Sequence, residues 1–440
     1  MKEDHKPAEQ ISRRRLLKWG AVGGGGLAAA GTGMLSLSPA VAGAQASQSG
    51  TDGPSYPDGA SRATMQRAEK ASFDGDYQLA VLSEPALATT VVAFDVIAGT
   101  RAELSDLLQA LTSRMRTLYS GGLPQNDGPV APQDDNGILG PVVPSSAVAF
   151  IFGMGASLFD ERFGLGPARP PGLIPMQSFP NDNLDPAQCQ GDLSVQICAD
   201  DADTVLHALR DITKHTRGAT QPRWRIDGFK SPPRPSGTPR NLIGFKDGIS
   251  NPDTAQAASM QDLVWVQAGG AAPAWTVGGT YQVVRIIRMF VESWDRTLLD
   301  QQENTIGRRK TTGFPLGVDG EFTNFDYAAD PQGQITPLTA HIRLANPRTA
   351  ASTTSRILRR GYNYDRGLDV NGNLDQGLVF TCYQQDLLTQ FITVQGRLIN
   401  EPLSDFISPI GGGYFFCPPG LSANSSAFFG DGLLAGTAHQ

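Results

Sequence analysis

The sequence predicts an α+β fold built from two ferredoxin-like units, each a β-α-β-β-α-β run with helices on one face of an antiparallel sheet. Three observations predict it. Strand-like and helix-like hydrophobic periodicities occur in the same order twice along the chain. A Pro-rich break at 231–239 divides the two runs. The 440 residues, less an N-terminal leader, suffice for two cores of ordinary domain size.

Residues 89–97 (TTVVAFDVI) read as a strand, and 102–119 as a helix with Leu104, Leu107, Leu108, Leu111 and Met115 on one face. A Pro/Gly loop at 121–146 leads to strands at 147–152 and 192–198, a helix at 202–216 and a strand at 223–229. After the break come a strand at 281–292, a helix at 295–305, strands near 356–364 and 378–383, a helix at 385–398 and a strand at 413–416. The expected domains are 75–230 and 231–440. The second carries the longer loops, and loops on a rigid scaffold are where chemistry is expected.

Residues 1–42 read as an export leader. Ser12-Arg13-Arg14-Arg15-Leu16-Leu17-Lys18 fits the twin-arginine pattern, and Ala40-Val41-Ala42 offers a small-x-small cleavage site, with Ala44-Gln45-Ala46 as a second option. Four glycines at 23–26 make the stretch too weakly apolar for a membrane anchor, and no later segment approaches ~20 apolar residues. The expected partner during export is the twin-arginine translocase, which carries folded proteins and so suits a cofactor inserted beforehand. The expected location is periplasmic or extracellular, or at the outer face of the cytoplasmic membrane. Residues 43–74, rich in Ser, Gly, Asp and Ala, read as a flexible linker.

The whole chain carries a net charge of −7, and the leader holds six basic and three acidic residues, leaving a body near −10. That charge argues against nucleic acid or an anionic membrane as partner. A homo-oligomer is compatible with it. Cys189, Cys198, Cys382 and Cys417 permit two disulfides in an exported protein, with 189/198 and 382/417 the simplest pairing among those open. Their spacing does not suit zinc or an iron–sulfur cluster.

Five histidines leave one credible axial ligand for a haem iron. His5 lies in the leader, His439 adjoins the C-terminal residue, and His207 and His215 sit on an amphipathic helix. His341 stands in His341-Ile342-Arg343-Leu344-Ala345-Asn346-Pro347-Arg348, an arginine-flanked run punctuated by proline. A copper oxidase would need several histidine ligands, which the chain lacks. Asp247 lies in Gly244-Phe245-Lys246-Asp247-Gly248, where the glycines let backbone approach a flat ligand, and Asn251-Pro252 ends the segment in a turn. An isolated Asp-Gly pair is ordinarily a solvated turn. Arg359 and Arg360 follow His341 by 18 and 19 residues at a strand start, which puts one inside and one outside. Heterolytic cleavage of hydrogen peroxide at a haem needs an imidazole on one face, and on the other a carboxylate to move a proton and a fixed cation to stabilise charge. The three segments supply that set.

Together these motifs resemble the dye-decolourising (DyP-type) haem peroxidase family, in its exported deferrochelatase/peroxidase branch. Gln302-Glu303-Asn304-Thr305-Ile306-Gly307-Arg308-Arg309-Lys310, Pro315-Leu316-Gly317 and Gly411-Gly412-Gly413-Tyr414-Phe415-Phe416 extend the likeness, which runs from about Leu79 to the C-terminus. The resemblance implies one haem b per chain, held mainly by the C-terminal domain, with hydrogen peroxide and small organic reductants as substrates. It implies His341 as iron ligand, Asp247 as distal acid–base and Arg359 as distal charge. Gly248, Ile249, Ser250, Asn346, Pro347 and Arg348 would line the haem, and Arg308 or Lys310 would meet a propionate. Relatives often carry an aspartate two residues before the histidine; here Thr339 stands there, so the partner of His341 is not read from the sequence. Release of iron from haem is the alternative within the family. A haem carrier would have no use for Asp247 and Arg359.

Overall fold

The computed structural model describes residues 72–125, 128–269, 272–422 and 426–436; the expected leader, and the expected linker up to residue 71, lie outside them. The first run forms β1 (Ala88–Val96), α1 (Arg101–Ser120), β2 (Val148–Gly155), β3 (Leu193–Ala199), α2 (Ala202–His215) and β4 (Thr220–Phe229). Helix α1 starts where Thr100 and Glu103 form a reciprocal capping box, and it buries Leu104, Leu107, Leu108, Leu111, Met115 and Leu118 on one side. Helix α2 starts where the Asp201 side chain accepts from the Thr204 amide.

The second run forms β5 (Thr280–Met289), α3 (Leu299–Ile306), α4 (His341–Ala345), β6 (Leu358–Arg359), β7 (Tyr362–Leu368) and β8 (Leu374–Gln384). It ends with α5, a π-helical segment (Leu387–Ile392) continuing as α-helix (Thr393–Arg397), and β9 (Ile407–Cys417). Several strands run longer than expected, the last from Ile407 rather than 413, and the segments on either side of the expected helix at 295 and the strand near 356–364 differ more. The strand expected to 292 stops at Met289, because a helical turn at Val291–Trp294 buries the Trp294 indole, which donates to the Ile243 carbonyl at 2.9 Å. The helix that follows therefore begins at Leu299 rather than 295. The strand expected near 356–364 is split at Arg360-Gly361 into β6 and β7, both paired with β8.

The strand order is β5-β9-β2-β3-β1-β4-β7-β8-β6, and β5 also pairs with β8. Eight strands therefore close into a barrel, with β6 continuing along β8. Each half repeats one order: β2-β3-β1-β4 in the first and β7-β8-β5-β9 in the second. The seams are β2–β9 and β4–β7. Alternate residues point into the barrel, where Val91, Trp224, Ile226, Val284, Ile286 and Phe415 share one core. The other face of the first half packs under α1 and α2.

None of the four cysteines forms a disulfide. Cys189 precedes β3, whereas Cys198 lies near its far end, with roughly 3.3 Å of rise per strand residue between them. Cys382 and Cys417 sit on β8 and β9, on either side of β5, opposite Val283 and Thr280. That places them two strands apart, ~9.5 Å, and on opposite faces, beyond the ~7 Å reach of a disulfide. Among the described residues no helix is long and apolar enough to cross a membrane.

Candidate active site

The Gly-x-x-Asp-Gly segment is a tight loop pinned at each residue. The Asn241 amide donates to the Phe245 carbonyl at 2.9 Å, the Phe245 amide to the Asn241 side chain at 3.1 Å, and the Asp247 amide to the Pro239 carbonyl at 3.0 Å. Lys246, buried, forms an ion pair with Glu321 and donates to the Ser236 carbonyl at 2.8 Å. Gly248 follows Asp247 at φ +108°, a conformation a side chain would strain. The loop delivers the Asp247 carboxylate to Arg359, whose Nη1 donates to Oδ1 at 2.9 Å.

Asn251 locks the two segments together. Its Oδ1 accepts from the Arg359 amide at 3.0 Å and its Nδ2 donates to the Arg359 carbonyl at 2.8 Å. The sequence marks Asn251 only as a turn residue before Pro252. Arg360, as alternation requires, turns the other way and donates to the Val81 and Leu82 carbonyls.

His341 opens α4, which packs on α3 and α5. Gly307, at φ +92°, ends α3 where an added Cβ would lie 2.7 Å from Ile342. The imidazole Nδ1 donates to Glu401 Oε2 at 2.7 Å, since a carboxylate only accepts. Burial opposes protonation of His341, but the charge and hydrogen bond of Glu401 outweigh it and hold the ring above its ordinary value. Glu401, almost fully buried, is thus the missing partner. It fixes the tautomer, leaves Nε2 for a metal and makes the ring a stronger donor.

Asp247 comes from a segment about a hundred residues before His341 and Arg359, and the three line one cavity of ≈230 Å³. Gly248, Ile249, Ser250, Arg308 and Asn346 line it too; Pro347 and Arg348 are outside the lining. The Arg348 guanidinium instead lies over the Tyr327 ring, 5.8 Å from its centroid. Lys310 is also outside and donates to Gln302 Oε1 at 2.7 Å. Apolar walls come from Ile243, Ile287, Met289, Leu378, Phe380 and Leu398.

The donor set fits haem. His341 offers one imidazole nitrogen beside apolar walls. Arg308 and Arg356 add cationic donors for carboxylates. Burial, with Arg348 and Arg359 adding to it, pushes Arg308 down to about 10, and burial with Arg348 lowers Arg356. Excess positive charge of this kind is relieved by an anionic ligand. Arg285 Nη1 and Asn181 Oδ1, also in the wall, are buried and make no hydrogen bond to a described residue.

His207 and His215 are occupied elsewhere, His207 with Asp135 at 2.5 Å and His215 with Asp134 at 3.0 Å. Surface aromatics can relay electrons from bulky reductants, but Trp224, Trp265, Trp294, Tyr362, Tyr364 and Tyr414 are all buried. Trp275 is partly buried.

A double ferredoxin-like barrel with a histidine–glutamate pair and an aspartate–arginine pair on one cavity defines a class of peroxide-handling site. The Dyp-type peroxidase N-terminal and C-terminal families match residues 78–230 and 238–422, and the chain belongs to the DyP-type peroxidase family. Two deferrochelatases are similar along 98% of this chain and 99% of their own. That of Escherichia coli O6:K15:H31 (strain 536 / UPEC) is 48% identical, and that of Shigella sonnei (strain Ss046) is 47% identical. Among solved structures, the DyP-type peroxidase from Cellulomonas bogoriensis is similar at 35% identity and TM-score 0.73, over 83% of this chain and 98% of its own. DtpA from Streptomyces lividans is similar at 36% identity and TM-score 0.74, with the same coverage.

Proposed function

We infer that this chain is a haem peroxidase that reduces hydrogen peroxide and oxidises small organic reductants, with one haem b per chain. Membership of the DyP-type peroxidase family makes it an enzyme and makes haem its cofactor. The observation that carries the site reading is the pairing of Asp247–Arg359 at 2.9 Å with His341–Glu401 at 2.7 Å on one cavity. When bound, haem supplies the redox centre at which peroxide is reduced. His341 would hold it through Nε2, with Glu401 orienting the ring. Asp247 takes a proton from the peroxide and returns it to the leaving oxygen. Arg359 keeps that carboxylate in place and offers a fixed positive charge to the oxygen that becomes negative. Arg308 and Arg356 would serve the propionates.

Release of iron from haem is a second reading, favoured by the name that relatives 48% and 47% identical carry. The test is an absorbance spectrum of the purified protein before and after one equivalent of peroxide, with porphyrin fluorescence of the products. A haem band that changes on peroxide addition, with turnover of an added reductant, supports the peroxidase. Metal-free porphyrin accumulating without reductant oxidation supports iron release. No haem band after reconstitution overturns both.

We also propose export by the twin-arginine translocase to the periplasm or the cell exterior. The support is the Arg13-Arg14-Arg15 run with its following apolar stretch and Ala40-Val41-Ala42. Lysine in place of the three arginines should retain the protein in the cytoplasm; normal export of that variant would overturn the route.

A further inference from the structure

Strand β6 is two residues long and pairs with one strand only, β8, where Arg359 stands opposite Cys382. Consecutive strand residues send their amides and carbonyls to opposite edges. Those of Arg360 go to β8: its amide donates to the Thr381 carbonyl at 2.7 Å, and its carbonyl accepts from the Thr381 hydroxyl at 2.5 Å. The amide and carbonyl of Arg359 therefore face the edge that no strand among the described residues covers.

The Asn251 side chain covers that edge. A primary amide carries a donor and an acceptor in one plane, so it can exchange two hydrogen bonds with one residue's backbone, as a paired strand does. Here they measure 3.0 Å from the Arg359 amide and 2.8 Å to its carbonyl. Asn251 is itself tied to the loop: its backbone amide donates to the Gly248 carbonyl at 3.1 Å, and buried Pro252 follows. The circuit closes through the Arg359 side chain, whose Nη1 returns to Asp247 at 2.9 Å. Among the described residues that is the only hydrogen bond of the guanidinium, so the backbone root decides where its other donors point. Asp247, Gly248, Ile249, Ser250 and Arg359 line the cavity and Asn251 does not, so it acts there only through its neighbours.

We propose that Asn251 is a positioning residue for the peroxide reaction: by clamping the Arg359 backbone to the turn that carries Asp247, it sets where the guanidinium meets the oxygen that becomes negative. The proposal rests on the reading of Arg359 as the distal charge. A misplacement of about 1 Å at such a group can cost ~10²-fold in rate. Loss of the clamp should cost less, because β8 and the Asp247 contact still hold Arg359.

The test is a double-mutant cycle on the haem-loaded protein: wild type, Asn251→Ala, Arg359→Leu and the two combined. If the alanine variant fails to fold, Asn251→Gln takes its place, with the same amide one methylene further out. Two readouts are normalised to haem content: the rate constant with peroxide, and the dissociation constant of fluoride. Fluoride binds ferric haem without turnover, and as an anion it is held by a charged donor such as Arg359. Asn251→Ala should slow the reaction and weaken fluoride binding by about 10-fold each, less than Arg359→Leu does. In the Arg359→Leu background the same change should cost no more than about twofold, because its effect runs through the arginine. Unchanged rate and fluoride affinity in Asn251→Ala would overturn the proposal. A full tenfold loss in both backgrounds would overturn it too, since Asn251 would then act independently of Arg359. If Arg359→Leu matches wild type in both readouts, the distal role of Arg359 is what has failed, and the proposal falls with it.

Discussion

The two halves of the barrel share one strand order and put their outer faces to different uses. In the first, α1 and α2 lie on the sheet and seal it with Leu104, Leu108, Leu111, Val205 and Ile212. In the second, the crossover after β5 is broken into the short α3, a long excursion and the five-residue α4. Those pieces pack on one another and on α5, leaving β5 and β8 to floor a cavity with Ile287, Met289, Leu378 and Phe380. The same topology therefore gives a closed core on one side and a site on the other. Interrupting a crossover helix is what opens room for a ligand, and the barrel interior common to both halves keeps the framework rigid while it does so.

The comparison breaks first at His341. His341→Ala should lose haem retention entirely, read as absence of the Soret band, with far-ultraviolet circular dichroism unchanged. Asp247→Asn and Arg359→Leu should keep the haem and slow the reaction with peroxide by unequal factors, on the order of 10²–10⁴. Full-speed reaction in both variants would remove the distal assignment. Leu108→Ala, in the sealed half, should cost about 2–5 kcal/mol of stability in a denaturant titration with the haem spectrum unaltered. If that variant instead lost haem at full stability, the division of labour between the halves would be wrong. Glu401→Gln keeps a hydrogen-bonding group but removes the charge on His341, and should weaken haem binding by about 10–100-fold.

How much of this was legible depends on how local each signal is. Strand and helix order came through because amphipathic period is a property of contiguous residues, as at Leu104, Leu107, Leu108 and Leu111. Closure of the barrel did not, because the β2–β9 and β4–β7 seams join strands with no sequence signal for pairing at long range. Asp247, Arg359 and His341 stood out because they sit in motifs with unusual neighbours. Glu401 was invisible: it lies 60 residues beyond His341 in an Asn-Glu-Pro turn that looks like any helix exit, and only packing of the α5–β9 connection brings it to the imidazole. Asn251 was seen as a turn former, and its clamp on the Arg359 backbone needed the fold. Pro347 and Arg348 follow His341 closely in sequence, but α4 ends at Ala345 and the Arg348 guanidinium lies 5.8 Å from the Tyr327 ring centroid.

The smallest effect concerns the loop that carries Asp247. Glu321 holds that loop through the Lys246 ammonium and the Thr238 amide, which donates to Oε1 at 2.8 Å. Burial works against the Glu321 charge, but the hydrogen bonds from Lys246 and Thr238 outweigh it and hold the carboxyl below its ordinary value. A carboxyl depressed in the folded state stabilises that state above the unfolded value, about 4.3 for glutamate, and the contribution is lost as pH falls through the lower folded value. Glu321→Gln still offers an acceptor, so the loss at neutral pH should be small, about 1 kcal/mol. Unfolding measured at pH 7 should separate the variant from wild type, and the gap should narrow as the pH falls below about 4. Because the loop serves the site and not the core, hydrogen exchange at 244–248 should rise in this variant while exchange in α1 stays put. Equal increases in both places would mean that the loop and the sealed half unfold as one unit, which the separation of their contacts argues against.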